Sequence, residues 1–242
     1  YGAPSPSSQY RWARRDFDFT AFNRQAIIDA GIDKHELIAV MDESFIKKAG
    51  KKTHGLGFFF DACNQKARRG LEISLIGVVD RDDNIAYTLQ LQQVMPKPQE
   101  GSRLDAAIAQ YRAQRPQLCA WTRTWAADGA YAKRSFVDAV AETGDVLVSR
   151  LRKDADLKHL YMGAYRGRGR PRKYDGKVVF DDLSRWLCLG EVGSGVELYS
   201  VVAWHDSLKR RLRVSMLRRA KDGRYVLQPL STEEEMDPFE VV

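Results

Sequence analysis

The sequence predicts an α/β fold in which a mixed sheet with flanking helices is followed by a β-rich insertion. Three observations support this prediction. Residues 37–41 form a short run that is apolar on both faces, which is typical of a central strand buried under helices. Up to residue 150, segments with helical spacing alternate with further apolar strands. Beyond residue 150, alternating stretches and a Gly-Arg loop replace that pattern.

The first segment, residues 1–35, is predicted to be an N-terminal arm and a helix. Residues 1–17 are rich in Pro, Ser and Arg and show no period. A helix follows from Asp18 or Thr20, which serve as its cap, to Gly31, which stops it. Strands are then expected over residues 37–41, 56–62, 71–79 and 85–91.

The next elements alternate between helix and strand. An amphipathic helix is predicted over residues 103–115, ending at Pro116. A strand over 122–127, parallel to the first, a helix over 133–142 and a strand over 146–148 follow. A meander followed by helix, strand, helix and strand is a ribonuclease-H-like layout, which we assign to residues 36–150.

Residues 151–230 are predicted to be a β-rich basic insertion, with strands near 178–180, 196–204, 212–217 and 224–227. In the last segment, 231–242, Asp237 and Pro238 have the form that begins a helix. The sequence ends at Val242, just after this final core helix would begin, and it starts at Tyr1 rather than at a methionine. Both ends are therefore expected to be truncation points in a longer protein.

Composition limits the class of protein and of partner. With 242 residues, 44% of them hydrophobic, the chain can bury a core of one large or two small domains. The net charge of +7 favours a polyanionic partner such as nucleic acid. No apolar run approaches the ~20 residues that span a bilayer, so no membrane partner and a cytoplasmic location are expected. Three widely spaced cysteines predict neither disulfides nor a zinc site, but reduced core thiols.

Two aspartates are the candidate catalytic and metal-binding residues. Asp42 and Asp128 directly follow two strands that are predicted to lie parallel and adjacent, so both would meet at one edge of the sheet. Carboxylates that converge on Mg²⁺ or Mn²⁺ are what metal-dependent phosphoryl transfer requires. The competing interpretation is that each aspartate is an ordinary turn residue, as Asp128-Gly129 would be by itself.

Two basic segments are candidate DNA-binding sites. The first is the Gly-Arg loop, whose cations are Arg166, Arg168, Arg170, Arg172 and Lys173. The second lies after Asp42 and contains Lys47, Lys48, Lys51 and Lys52. An exposed hairpin turn explains these lysines equally well. A third cluster, between Lys209 and Lys221, is better explained as a solvated surface.

Four stretches resemble the catalytic core of bacterial insertion-sequence DDE transposases. Residues 37–55, which contain Asp42, Ser44 and a Lys-, Gly- and Thr-containing turn, resemble the first-aspartate block, and residues 127–133 with Phe136 resemble the second. Residues 167–177 are similar to the basic loop that follows, and residues 230–232 to the approach to the last helix. The resemblance implies a ribonuclease-H-like fold, catalysis by Asp42 and Asp128, and a third acid beyond the end of the chain. Glu233, Glu234, Glu235 and Glu240 lie too early to be that acid.

The leading hypothesis is therefore a transposase that cleaves DNA and transfers the freed 3′ end with the help of Mg²⁺ or Mn²⁺. Its partner would be double-stranded DNA, both transposon ends and target, in the bacterial nucleoid. A homodimer is expected by analogy with paired-end assembly. Two alternatives remain: a non-catalytic DNA-binding remnant of a transposase, and a metal-dependent nuclease on the same sheet.

Overall fold

The computed structural model describes residues 17–98, 100–152, 154–165, 167 and 169–242. Residues 1–16 of the predicted N-terminal arm lie outside the described residues. Arg166 and Arg168 of the predicted basic loop lie outside them as well.

Three α-helices are capped by their own sequences: α1 is Phe19–Asp29, α2 is Arg103–Leu118 and α3 is Arg134–Glu142. The Asp18 carboxylate accepts a hydrogen bond from the Ala21 amide (2.9 Å), which satisfies one free donor at the start of α1. The prediction that α2 ends at Pro116 is wrong: a bond from the Cys119 amide to the Arg115 carbonyl (2.9 Å) closes another turn beyond the proline. No helix in the described ranges has the length and apolar character needed to cross a membrane.

The first six strands form one side of a mixed sheet: β1 is Leu37–Lys47, β2 Gly57–Asp61, β3 Lys66–Asp80, β4 Ile85–Val94, β5 Thr124–Ala127 and β6 Val146–Arg150. β3 is antiparallel to β1, and both β2 and β4 are antiparallel to β3. As predicted, β5 lies parallel to β1, and β6 lies parallel to β5. The crossover helices α2 and α3 make these parallel pairs possible.

The remaining strands extend the same sheet: β7 is Leu157–Leu160, β8 Tyr174–Lys177, β9 Leu187–Gly193, β10 Val196–His205, β11 Arg210–Arg219, β12 Tyr225–Leu227 and β13 Pro229–Ser231. β13 is hydrogen-bonded to β6 on one edge and to β11 on the other, and the order continues through β10, β7 and β8. The prediction of a strand at 178–180 is wrong, since β8 ends at Lys177. Val178 is instead a buried residue that follows the strand.

The helices cover one face of the β1–β6 sheet. Ala39 and Met41 on β1 are buried in one cluster with Tyr111 of α2 and Phe136 of α3. Because successive side chains of a strand point to opposite faces, Ile38, Val40 and Asp42 lie on the other face. There Ile38 and Val40 are only partly buried and Asp42 is exposed. We call this side of the sheet the open face.

The last ten residues pack on part of the open face. Met236 and Val241 are buried against Val146, with Val148 beside them. Val148 lies opposite Ala126, which lies opposite Val40, so this contact is on the same face as Asp42. The segment forms turns rather than the predicted opening of a helix, since Asp237 accepts a hydrogen bond from the Phe239 amide (2.9 Å) without a continuing helical ladder.

The prediction that the cysteines are core thiols is wrong. Cys63, Cys119 and Cys188 are free and exposed. Cys63 lies in the β2–β3 turn, Cys119 at the end of α2 and Cys188 on β9. These positions are at element ends or at the margin of the sheet, where little protein remains to cover a side chain.

Candidate active site

The register of β1 and β5 brings the two candidate aspartates to neighbouring positions. The last paired residues are Met41 and Ala127, and Asp42 and Asp128 are the next residues on their respective chains. Adjacent strands lie ~4.7–4.9 Å apart, so the backbones that carry the two aspartates are close at this point. Both side chains are exposed. The two aspartates therefore each follow directly on the last paired position of β1 and β5.

Asp42 is not at the end of its strand, and the prediction is wrong on that point. β1 continues for five residues to Lys47, and its partner on that side is β3, from Leu75 opposite Asp42 to Gly70 opposite Lys47. On the other side of β1, the pairing with β5 stops at Met41. Asp42 is thus the first residue beyond the stretch of β1 that pairs with β5, so its flank on that side has no strand partner.

The oxygens of Asp42 and Asp128 are largely free of protein donors. Within the described ranges Asp42 has no hydrogen bond or ion pair, and Asp128 accepts one hydrogen bond, from the adjacent Gly129 amide (2.6 Å). The buried Asp145, in contrast, accepts hydrogen bonds from Tyr111, Arg115 and Trp125. Free carboxylate oxygens are the ligands that Mg²⁺ and Mn²⁺ prefer, so the donor set fits such an ion.

A groove of about 440 Å³ begins at Asp128 and is bounded by the end of β6 and the residues that follow it. Arg150, Arg152 and Asp154 line it, and Arg152 donates to Asp154 (3.0 Å), which holds the pKa of that carboxyl below its ordinary value. Sequence reasoning missed these residues. Because β6 is parallel to β5, its carboxyl end reaches the same edge of the sheet, and that signal was present in the sequence.

Close backbone contact fixes the turn after Asp128. A Cβ atom at Gly129 would lie 2.9 Å from the Arg150 carbonyl oxygen, so only glycine fits without a shift. Two residues further on, Tyr131 is buried. Burial raises the pKa of Tyr131, and the negative charges of Glu43 and Asp42 raise it further, so the phenol stays neutral. Gly129 and Tyr131 together hold the Asp128 turn against the sheet.

Glu43, the neighbour of Asp42, belongs to a separate ion-pair group on the helix-covered side of β1. It pairs with Arg103 at the start of α2 (3.1 Å), and Arg103 also pairs with the buried Glu72. Because Glu43 is neutralised in this way and lies on the opposite face from Asp42, it does not complete the candidate site.

A different cluster lies at the other end of β1. His35, Asp80 and Asp82 place ligand atoms within 4.8 Å of one another, and Leu37 is paired with Asp80. The buried Asp80 is already satisfied: one oxygen contacts His35 Nδ1 (2.7 Å), and the other accepts from the amides of Asp82 (2.9 Å) and Asp83 (3.3 Å). The cluster therefore links the β3–β4 turn, which the sequence predicted, to the segment before β1.

This link makes stability depend on pH. The hydrogen bond to Asp80 raises the pKa of His35, and burial only partly opposes it. The stabilisation by protonated His35 is therefore fully present below the unfolded pKa of about 6.5 and is lost as the pH rises through the higher folded pKa. We expect His35→Gln to lower the melting temperature more at about pH 5.5 than at about pH 8.5. An equal decrease at both pH values would show that the charge of His35 is not involved.

The structure locates the predicted DNA-binding residues that it describes on two exposed segments. Lys47 ends β1, and Lys48, Lys51 and Lys52 follow in the loop before β2. In the Gly-Arg loop, Arg170 and Lys173 are exposed, whereas Arg172 pairs with Asp175 (2.6 Å) and lies over the Tyr161 ring. Of that loop, Arg170 and Lys173 are the described residues most available to a phosphate.

Comparisons with known proteins give weak structural likenesses. No protein-family model matches the chain, and no curated protein matches it either. A piggyBac transposase from a synaptic complex with hairpin DNA has a TM-score of 0.42 at 11% identity; the match covers 88% of this chain and 37% of that one. The catalytic domain of human endonuclease V has a TM-score of 0.33 at 13% identity, covering 96% and 84%. Endonuclease V of Ciona intestinalis, bound to DNA, gives 0.27 at 8%, covering 54% and 59%.

These likenesses do not assign a function to the chain. The chain spans 37% of the length of the piggyBac transposase, and at most 13% of the residues are identical in any of the three. What the structure itself contributes is a mixed α/β architecture, dominated by one large sheet, in which Asp42 and Asp128 each follow the last paired residues of β1 and β5.

Proposed function

We propose that the chain is the catalytic region of a DDE transposase of an insertion sequence, with a ribonuclease-H-like core. The observation that carries the proposal is the parallel pairing of Met41 with Ala127, the residues that directly precede Asp42 and Asp128. Strand order and parallel pairing in β1–β6 also agree with that core. Under this proposal residues 36–150 are the core and residues 151–230 the inserted β region.

Asp42 and Asp128 would hold Mg²⁺ or Mn²⁺ in this proposal. A bound divalent ion would neutralise developing charge on a phosphate and promote attack by water or a 3′ hydroxyl. The protein's own contribution is to fix both carboxylates on a hydrogen-bonded sheet and to leave their oxygens free. Arg150 and Arg152, in the groove beside Asp128, would bind the phosphate backbone and orient it.

Incubation with DNA tests the proposed activity. The full-length gene product, which would supply the third acid, is mixed with a labelled duplex that carries the sequence flanking its gene and with a supercoiled plasmid as target. We expect nicking, and joining of the labelled strand to the plasmid, with Mg²⁺ or Mn²⁺ and neither reaction with EDTA. Cleavage without joining would favour the metal-dependent nuclease, and binding without cleavage would favour the non-catalytic remnant.

Double-stranded DNA is the proposed partner, and its contacts predict a salt dependence. Each neutralised phosphate adds about 0.9 to the slope of log K against log salt concentration. We expect Arg170→Ala with Lys173→Ala to reduce that slope by roughly 2 in fluorescence-anisotropy titrations of a duplex. Leu187→Ala, an exposed substitution on β9, should leave it unchanged. An unaltered slope in the double variant would remove the Gly-Arg loop from the interface.

The proposed location and the proposed homodimer follow from the proposed class of protein and not from a contact in the structure. A transposase of this kind would act in the bacterial cytoplasm, at the nucleoid. It would pair two element ends with two copies of the chain. Sedimentation of the protein with and without end-containing DNA tests the homodimer.

A further inference from the structure

The β2–β3 hairpin, residues 57–70, displays aromatic side chains to solvent. Phe58 and Phe60 are 72% and 57% exposed, whereas Phe59 between them is buried at 1%. Side chains alternate along a strand, so Phe59 anchors β2 while its two neighbours point outward together. The last residue of β1, Lys47, is paired with Gly70 of β3. The four residues of β3 before Gly70 pair only with β2, so the tip of the hairpin extends beyond β1.

Phe58 and Phe60 lie on the same face of the sheet as Asp42. Phe58 is paired with Arg69 and Phe60 with Ala67. Asp42 is paired with Leu75 on the same strand. Residues 67, 69 and 75 of β3 differ by even numbers, so their side chains lie on one face of the sheet. Directly paired residues on neighbouring strands share a face, so Phe58, Phe60 and Asp42 lie on that face too. The two phenylalanines therefore extend the open face that carries the candidate active site.

The spacing suits a bound polynucleotide. Arg69 and Leu75 are six residues apart on β3 (75 − 69), which corresponds to about 20 Å at ~3.3 Å per residue. A strand of duplex DNA advances about 3.4 Å per nucleotide, so the distance from Asp42 to Phe58 corresponds to about six nucleotides at the duplex rise and to fewer in an extended, unpaired strand. Contact at both places by one molecule is therefore geometrically possible.

The charge around the hairpin favours a polyanion as the occupant. Six cations at or near it are exposed, and within the described part of the chain none of them forms an ion pair: Lys47, Lys48, Lys51, Lys52, Lys66 and Arg69. The acid of the hairpin, Asp61, is buried and paired with Arg68 (3.1 Å). Two copies of the chain docked through this surface would bring these like charges together, which costs free energy.

We propose that this hairpin binds unpaired nucleotides of the DNA on which the active site acts. Phe58 and Phe60 stack on bases, and Arg69, directly across the strand pair from Phe58, contacts a phosphate. Aromatic side chains stack on any base whose face is free, so the contact requires single-stranded or unpaired nucleotides but no particular sequence. The inference rests on the proposed function only for the class of partner, a polynucleotide.

Binding without catalysis tests this inference. Fluorescence anisotropy is measured without divalent metal on a labelled 12-nucleotide oligothymidylate and on a duplex of the same length. We expect Phe58→Ala with Phe60→Ala to weaken oligothymidylate binding about tenfold or more, with the salt slope unchanged, because stacking is worth about 1–3 kcal/mol per base. Arg69→Ala should instead reduce the salt slope by about 1. Duplex binding should change less in the phenylalanine variant.

Two controls keep the result interpretable. Phe22→Ala removes an aromatic side chain of matching exposure (59%) on α1, away from the hairpin, and should leave binding unchanged. Thermal unfolding should show that the double variant remains folded, since both side chains are mostly in solvent. Wild-type binding by the folded double variant would overturn the inference. So would a wild-type dimer that the same variant dissociates, because a second copy would then be the occupant. A wild-type protein that binds oligothymidylate, and loses this binding in the double variant, but does not cleave DNA would count against the proposed function alone.

Discussion

Replacement of either Asp42 or Asp128 by asparagine is expected to lower DNA cleavage by a factor on the order of 10³ or more. Asparagine keeps the size of the side chain but removes its negative charge and one oxygen, so the metal site loses a ligand. Metal stabilisation of the transition state is worth several kcal/mol, and each 1.36 kcal/mol corresponds to about a tenfold change in rate. The measurement is single-turnover cleavage of a labelled duplex in Mg²⁺.

DNA affinity should be nearly unchanged in both variants, because the phosphate contacts that we propose come from Arg and Lys side chains. Asp29→Asn is the matched control: it changes an exposed aspartate of α1, on the helix-covered face of the sheet, and should keep full activity. Wild-type cleavage rates in either active-site variant would reject the metal-dependent enzyme.

Replacement of Asp145 by alanine is expected to lower the free energy of unfolding by about 3–5 kcal/mol. The Asp145 side chain is fully buried and accepts hydrogen bonds from Arg115 (2.9 Å), Tyr111 (2.8 Å) and Trp125 (3.1 Å). Burial raises the pKa of Tyr111 to about 12, so its phenol remains a donor over the whole neutral range. The variant would leave a guanidinium and two buried donors without their acceptor. Urea denaturation followed by circular dichroism gives the free energy.

The matched control for Asp145 is Glu142→Ala, only three residues earlier. Glu142 pairs with Arg112 (2.9 Å), but both side chains are more than half exposed, and exposed pairs are worth about 0–1 kcal/mol. Both variants remove a carboxylate that lies at or just after the end of α3 and pairs with an arginine of α2. Similar decreases for both would show that the buried network does not stabilise the fold as we expect.

The sequence was sufficient to predict that the strands before Asp42 and Asp128 are parallel neighbours, because the signals are local. The apolar run before each aspartate and the helical spacing between them predicted parallel neighbours, and Met41 is indeed paired with Ala127. The length of β1 was not predictable in this way. Residues 42–47 are mostly polar or exposed, and they remain in the strand because β3 offers a partner far along the chain. Such long-range pairing leaves little trace in a local pattern.

Contacts between distant segments account for the other differences. Nothing in the spacing of His35 indicates that it meets Asp80, 45 residues away. The exposure of Phe58 and Phe60 is likewise not evident from the sequence, since three consecutive phenylalanines are typical of a buried strand. Only the register with β3 separates the buried Phe59 from its two exposed neighbours.

The three residues of β13 have a mechanical consequence. Pro229–Ser231 is hydrogen-bonded to β6 on one side and to β11 on the other, so the hydrogen-bonded sheet is continuous from the β1–β6 half to the β7–β12 half. A hinge between the halves would have to break one of these two ladders. The sheet should thus move as one rigid body, and we expect conformational changes on binding a large ligand to occur in the loops at its edges.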